Sequence, residues 1–472
     1  MDLRLADIEI PEDKPFKNDQ LGRNREIAQL TQIISTLDQP SVLAIDSSWG
    51  TGKTTFLRMW QASIRKEFPC LIYNAWENDF TADPLVSFIG ELEKELDLFE
   101  ISDPKVKRKL KRALGETKKA GGTFLKRALP LMLRVASGGI LSVDGKVLDQ
   151  LTNLTEGLAE DFFKEYEKSK KSISAFKEKL EDFINYLGET KFEGKPFIVF
   201  VDELDRCRPP FAIQLLERIK HFFNVKGMVF VLAIDRKQLG ESMKVVYGSG
   251  MDVAGYLRRF IDIDYKLKQQ SGPEFSNYLF QTMGTNSLLS RLRIDEHKNE
   301  FLNEFKDLSQ LLSLSCREQV HLCSRFNLFL RMTQDDSFYH SSFALVLIAI
   351  RVKEEDFYQE IVKGTTSPYD ILLKINSLSG REDWRFNLQW GSSLDAFLRS
   401  AKYTPAAIRE ELQRFEKTQK EENYLQKLQE NLQLRYQEGV YTTLRKLGSN
   451  GKQLFVQLVD KIELIGRFDW ND

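Results

Sequence analysis

The sequence predicts an α/β fold, in which a parallel sheet flanked by helices carries a helical insertion and is followed by an all-α C-terminal region. Short continuous apolar runs, typical of strands buried on both faces, alternate with helical periodicity up to about residue 267. A glycine-rich loop with a lysine stands between the first of these runs and the next helix. Beyond Gly272 the pattern is helical throughout.

Strands and helices are expected in regular alternation. A polar leader over residues 1–18 precedes an amphipathic helical pattern that follows Gly22. The predicted strands cover residues 42–45, 71–73, 197–201, 228–234 and 260–267. The predicted helices of the same region cover residues 56–68, 85–99, 210–223 and 237–246.

A change of composition near residue 100 predicts an insertion within the α/β core. The core then covers residues 19–99 and 189–270, and residues 100–188 form a helical insertion with a basic and an apolar segment. Two helical domains are expected after the core, a lid-like one over residues 271–352 and a C-terminal one over residues 353–472.

Composition and charge limit the class of protein. The chain has 472 residues, of which 42% are hydrophobic and 29% charged, a globular balance, and its formal net charge is −1. Such a charge does not bind nucleic acid over the whole molecule. Four scattered cysteines without a C-x-x-C pair argue against a disulfide framework and a structural zinc site. They suit a reducing compartment, so we expect a cytoplasmic protein.

The basic segment of the insertion permits three interpretations. Residues 105–127 contain ten basic residues and one acid, Glu116. A solvated helix face is the default, and peripheral contact with anionic lipid head groups, aided by apolar residues 129–141, is the second. Nucleic-acid binding is the third, but no aromatic residue interleaves with the basic ones before Phe124. No uninterrupted apolar run of about 18 residues occurs, so no membrane-spanning helix is expected.

The strongest chemical signal is the loop SSWGTGKT at residues 47–54, between a strand and a helix. In the pattern G-x-x-x-x-G-K-[ST], backbone N–H groups surround phosphates at a helix N-terminus. Lys53 is predicted to reach the β and γ phosphates of ATP, and the Thr54 hydroxyl to bind Mg²⁺. Ser47 replaces the first glycine, at a cost on the order of 1 kcal/mol if that position needs a positive φ. The predicted nucleotide-binding residues of the loop are Ser48, Trp49, Gly50, Thr51, Gly52, Lys53, Thr54 and Thr55.

An acidic cluster follows the buried strand at residues 197–201. Asp202 is predicted to hold Mg²⁺, because a carboxylate at the end of a strand beside the phosphate loop suits that role. Glu203 is predicted to polarise the attacking water, with Asp205 as a rival base. Asp235, after the next strand, is either a sensor of the γ phosphate or the N-cap of the following helix.

These residues resemble the KAP P-loop NTPases of the additional-strand (ASCE) class. The stretches that carry the resemblance lie between residues 19 and 267 and read SSWGTGKTTFL, YNAWENDFTADPL, FIVFVDELDRCRPPFAIQLLERIKHFF, GMVFVLAIDRKQL and GYLRRFIDIDY. The resemblance implies an additional strand beside the P-loop strand. It also implies that Gly22 and Arg23 belong to a turn on the adenine side, for which a plain turn before a helix is the alternative.

Three arginines gain candidate roles from related ATPases. Arg258 and Arg259, just before the last core strand, resemble an arginine finger that completes the site of a neighbouring subunit, or else form a basic helix end. Arg317 resembles the sensor arginine that opens a lid helix, with a surface salt bridge as the alternative.

Together these features predict a Mg²⁺-dependent ATPase that works as a nucleotide-driven conformational switch. The family resemblance implies a homo-oligomer, a neighbouring effector protein, and a role in bacterial anti-phage defence or a stress response. Two other functions stay open. One is a scaffold that binds ATP with little turnover, and the other is a nucleic-acid-dependent motor or loader.

Overall fold

The fold was obtained as a computed structural model, which describes residues 8–37, 39–81, 83–98, 101, 103–119, 156–268, 273–333, 338–379, 391–420, 432–447 and 450–467. These residues form two compact units, one over Ile8–Lys268 and one after residue 268. The apolar stretch at residues 129–141, on which one interpretation of the insertion depends, lies outside the described residues.

The first unit has the predicted alternation of strands and helices. Its strands are β1 (Ser41–Asp46), β2 (Cys70–Asn74), β3 (Phe197–Asp202), β4 (Met228–Ile234) and β5 (Ile263–Lys266). Its helices are α1 (Asn24–Ile34), α2 (Lys53–Ile64), α3 (Pro84–Leu98), α4 (residues 104–119), α5 (Glu156–Gly188), α6 (Pro209–His221), α7 (Arg236–Tyr247) and α8 (Val253–Leu257).

The sheet is parallel, with the strand order β2-β3-β4-β1-β5. β4 lies between β1 and β3, which confirms the additional strand that the resemblance implies. Every residue of β3 and β4 is buried, as the continuous apolar runs predict. Along β1, Val42 and Ala44 belong to the core on one face of the sheet, and Leu43 and Ile45 to the core on the other.

The last strand is shorter than the predicted 260–267. It covers Ile263–Lys266, because residues 258–260 form a turn after α8. β5 is the edge strand beside β1 and alternates between half-buried and exposed residues. Its apolar signal is therefore weaker than that of the central strands.

The described helices of the insertion share the core of the sheet. From α4, Val106 and Leu110 are buried in the same apolar cluster as Phe176 and Phe183 of α5. The basic residues of α4 lie mainly on its outer face, where three of them form ion pairs with acids: Lys109 with Glu189, Arg112 with Glu116 and Lys118 with Glu93. This arrangement favours the solvated helix face over the other two interpretations for this part of the segment. Among the described residues, no helix is long and apolar enough to cross a membrane.

A buried ion pair braces the loop between β2 and α3. Arg218 of α6 donates to Asp83 at 2.6 Å, and both side chains are almost inaccessible to solvent. Asp83 also accepts a hydrogen bond from the backbone N–H of Leu85, at the start of α3. The loop after β2 is thereby fixed beside the carboxyl edge of the sheet.

The second unit consists of helices joined by turns, with no strand among its described residues, in agreement with the predicted all-α region. The helices are α9 (Pro273–Thr282), α10 (Thr285–Arg291), α11 (Lys298–Leu311), α12 (Cys316–Met332), α13 (Phe338–Lys353), α14 (Glu355–Lys363), α15 (Pro368–Ser379), α16 (Gly391–Lys402), α17 (Pro405–Gln419), α18 (Leu432–Leu447) and α19 (Gly451–Ile465).

Helix α11 carries a buried carboxyl group. Glu304 accepts a hydrogen bond from the Ser342 hydroxyl at 2.6 Å. Burial, together with the smaller effect of the nearby acids Asp307 and Glu300, raises the pKa of Glu304 from 4.5 to about 7. Between these two pH values the folded chain holds a proton that the unfolded chain releases. The free energy of unfolding therefore falls as the pH rises through this window.

We expect Glu304→Gln to remove this loss of stability. Relative to the unmodified protein, the variant should gain stability between pH 5 and pH 8, by an amount on the order of 2–3 kcal/mol. Thermal unfolding followed at several pH values measures the difference. Glu274→Gln, at an exposed carboxyl of the same unit, should leave the pH profile unchanged. Parallel profiles for Glu304→Gln and the unmodified protein would contradict the prediction.

Candidate nucleotide-binding site

The loop between β1 and α2 is shaped by two glycines. Gly50 and Gly52 have φ values of 77° and 88°, in the left-handed region that glycine adopts without strain. Ser47 has no positive φ, so the expected cost of serine at this position does not arise. Its backbone N–H donates to the carbonyl of Ile234 at 3.0 Å, which ties the start of the loop to the end of β4. The Thr51 hydroxyl closes the loop on the carbonyl of Ser48 at 2.9 Å.

Lys53 is the first residue of α2, and its ammonium group lies under the loop. Its Nζ donates to the carbonyl of Ser47 at 2.7 Å and lies 3.9 Å from Oδ2 of Asp205. Burial lowers the pKa of Lys53, while the carboxylates of Asp205, Asp235 and Asp202 raise it. Next in the same helix turn are Thr54 and Thr55, both half-buried. A partly desolvated cation at a helix N-terminus is suited to bind phosphate.

Asp202 and Thr54 meet where the ends of β3 and the loop approach each other. The Thr54 hydroxyl hydrogen-bonds the Asp202 carboxylate, and burial raises the pKa of Asp202. Oxygen ligands of this kind fit Mg²⁺, which takes one or two protein groups and completes its shell with water and phosphate oxygens. Consistent with so small a set of protein ligands, the described residues hold no group of three or more His, Cys, Asp or Glu arranged for a metal.

Asp205 faces the phosphate loop. Its Oδ2 accepts from Nε1 of Trp49 at 2.6 Å and from the backbone N–H of Asp235 at 2.9 Å, besides its contact with Lys53. Burial raises the pKa of Asp205. With two donors and a cation on one oxygen, this carboxylate organises the loop around Trp49, whose ring stays 43% exposed.

Asp235 is the N-cap of α7, one of the two predicted roles. Its Oδ1 accepts from the backbone N–H groups of Lys237 and Gln238. Its other oxygen accepts from the backbone N–H of Trp49 at 3.2 Å. Trp49 thus donates from its backbone N–H to Asp235 and from its indole N–H to Asp205.

The side chain of Glu203 is held on the side of β3 that faces β2. It is one of few non-glycine residues with a positive φ, 59°. Its Oε2 accepts from Nδ2 of Asn74 at 3.1 Å, and its Oε1 pairs with Arg206 at 2.9 Å. Asn74 and Arg206 were not singled out from the sequence. The position of Asn74 at the end of β2 was a usable signal, because carboxyl ends of parallel strands meet at one edge.

The turn at Gly22 and Arg23 lies beside the phosphate loop. Gly22 has a φ of 64°, and the side chain of Leu21 lies 3.9 Å from where a Cβ on Gly52 would be. Arg23 is buried and donates to Glu26 and to the carbonyl of Lys268, beyond β5. Its guanidinium therefore stabilises the turn that starts α1.

Arg258 and Arg259 are exposed and lie near the amino ends of the strands, whereas the phosphate loop lies at their carboxyl ends. They precede Asp262, whose carboxylate accepts from the backbone N–H of Val42 near the start of β1. The phosphate loop follows the end of β1, about 17 Å farther along the strand direction. These arginines are thus remote from the loop of their own chain.

Arg317 belongs to the second unit. It is exposed in the first turn of α12, which begins with a capping box formed by Ser315 and Glu318. The predicted helix with Arg317 in its first turn is therefore present, and the role of Arg317 as a sensor stays a prediction.

Comparison with known proteins agrees with this geometry. The model of the KAP family P-loop domain matches residues 23–343, more than half of the chain. An uncharacterized protein of Methanocaldococcus jannaschii is 29% identical over 174 residues, which cover 34% of this chain and 88% of that protein. The match to the family model includes the phosphate loop, the acidic strand and the first helices of the second unit. The chain belongs to the KAP family of P-loop NTPases.

Proposed function

We propose that the protein binds Mg-ATP at the loop around Lys53 and hydrolyses it, and that hydrolysis switches the protein between conformations. The observation that supports the proposal is that a cation, a pair of oxygen ligands and a separate carboxylate occupy different positions at the carboxyl ends of the strands. The ammonium group of Lys53 lies under a loop shaped by two glycines with left-handed φ values. The oxygen ligands Thr54 and Asp202 lie together, and a separate carboxylate, Glu203, follows β3.

Glu203 is the proposed base, in preference to Asp205. The two donors on Oδ2 of Asp205 and its contact with Lys53 assign that carboxylate to the loop. In the proposed step, the water oxygen bonds to the γ phosphorus while the bond to the bridging β–γ oxygen breaks. The proton of the water passes to Glu203, and ADP and phosphate leave. Mg²⁺, when held by Thr54 and Asp202, would neutralise phosphate charge.

The remote position of Arg258 and Arg259 supports a site shared between subunits. Because these arginines lie near the start of β1 and the phosphate loop follows its end, we propose that they act on another copy of the chain. We therefore propose a homo-oligomer in which one copy supplies the phosphate loop and its neighbour supplies an arginine. Its place in anti-phage defence or a stress response, with a neighbouring effector, rests on the family resemblance alone.

Lys53→Ala is expected to abolish nucleotide binding, because it removes the positive charge that faces the phosphates. Calorimetric titration with Mg-ATP measures the loss. Lys66→Ala, at an exposed lysine just after the same helix, should bind as the unmodified protein does. Equal ATP affinity in the two variants would rule out this loop as the phosphate site.

Glu203→Gln is expected to keep ATP bound and slow hydrolysis about a hundredfold, the usual order for the loss of a positioned base. Asp205→Asn should instead weaken ATP binding, since it disturbs the loop through Trp49. Steady-state kcat and KM for both variants separate the roles. If Asp205→Asn loses turnover and Glu203→Gln keeps it, Asp205 is the base.

Mixing two inactive variants tests the shared site. Arg258→Ala/Arg259→Ala should bind ATP but hydrolyse it slowly, and mixing it with Lys53→Ala should restore part of the activity. One subunit then contributes an intact loop and the other intact arginines. A double variant with lowered thermal stability and no rescue on mixing would indicate a structural role for these arginines.

A further inference from the structure

The carboxylate of Glu203 is bound at both oxygens. Asn74 donates to Oε2 at 3.1 Å, and Arg206 pairs with Oε1 at 2.9 Å. The side chain of Glu203 is only 15% exposed, and each carboxylate oxygen already has a protein partner. A water that delivers its proton to Glu203 has to compete with them.

The strand order shows the direction in which these groups draw Glu203. Asn74 ends β2 and lies level with Asp202 in the β2–β3 ladder. β2 and β1 lie on opposite sides of β3, with β4 between β3 and β1. Asn74 therefore holds Glu203 toward the outer edge of the sheet, away from the phosphate loop, whereas Asp205 faces Lys53 and Trp49.

The backbone at Glu203 is held in the same arrangement. A φ of 59° is unfavourable for a non-glycine residue and persists where the surroundings impose it. The backbone N–H of Glu203 donates to Oδ1 of Asp202 at 2.9 Å, and its carbonyl accepts from the N–H of Arg206 at 3.1 Å. Glu203 is thus fixed to Arg206 through both its backbone and its side chain.

Trp76 supports Arg206 from the loop after β2. The guanidinium carbon lies 5.9 Å from the centroid of the Trp76 ring, within the range of a cation–π contact. Asn74 Oδ1 accepts from the backbone N–H of Trp76 at 3.1 Å, and Asp79 accepts from the backbone N–H of Arg208 at 2.8 Å. The loop that carries Trp76 is therefore tied to the segment that carries Arg206.

We propose that Asn74 and Arg206 are positioning residues that hold Glu203 on the β2 side and thereby restrain hydrolysis, with Trp76 stabilising Arg206. The inference rests on the proposed role of Glu203 as the base. Hydrolysis then requires Glu203 to leave Arg206, and any group that competes for Arg206 or Trp76 accelerates turnover.

Removal of the arginine tests the restraint. Arg206→Ala should raise kcat about fivefold, equivalent to about 1 kcal/mol of barrier at 1.36 kcal/mol per factor of ten, and leave KM for ATP unchanged. Arg206→Gln, a second variant without the charge, should act alike, and Arg206→Lys should stay close to the unmodified protein. Arg58→Ala, at an exposed arginine on α2, is the matched control and should leave kcat unchanged.

A double variant shows whether the effect passes through Glu203. Glu203→Gln/Arg206→Ala should be as slow as Glu203→Gln, because the restraint has no base to act on. A lower or unchanged kcat for both Arg206→Ala and Arg206→Gln would overturn the inference, while hydrolysis by the unmodified protein would leave the proposed ATPase activity intact. If the unmodified protein and all Arg206 variants fail to hydrolyse ATP, the proposed activity itself is wrong.

Discussion

β4 pairs with β1 on one side and with β3 on the other, and the position of each polar group at the site follows from these two parallel ladders. The ladder with β1 places Asp235, after β4, beside the loop that follows β1, where its carboxylate and the end of β4 hold the loop. The ladder with β3 places the acidic cluster next to the same loop. The backbone N–H of Asp235, just after β4, also donates to the Asp205 carboxylate that lies 3.9 Å from Lys53 Nζ.

The acidic cluster serves at least two purposes because its members face different strands. Asp202, still in β3, meets Thr54, and Asp205 turns back toward the loop through the short 3-10 helix Leu204–Arg206. Glu203 lies between them with a left-handed backbone and faces β2. Grouping several carboxylates near a phosphate site is unfavourable unless cations accompany them, and Lys53, Arg206 and a bound Mg²⁺ would provide that charge.

The sequence predicted the central strands and the phosphate loop well, since both depend on local patterns. The runs of β3 and β4 and the segment around Lys53 are unambiguous in any context. The edge strand β5 was predicted to begin too early because Phe260 and Ile261, which precede the strand, are apolar and buried in the core. The directions of Glu203 and Asp205 depend on a 3-10 turn and on the strand order, which no pattern in the sequence encodes. Asn74 could have been singled out as a polar residue at the end of a strand, but its pairing with Glu203 depends on β2 lying next to β3.

Single-turnover kinetics show directly whether this site hydrolyses the ATP it binds. With the protein in excess over radiolabelled ATP and Mg²⁺ present, we expect bound ATP to be converted to ADP and phosphate in a single phase, and chelation of Mg²⁺ to stop the conversion. ATP that stays bound and intact over many hours in the presence of Mg²⁺ would rule out hydrolysis and identify the protein as a nucleotide-binding scaffold.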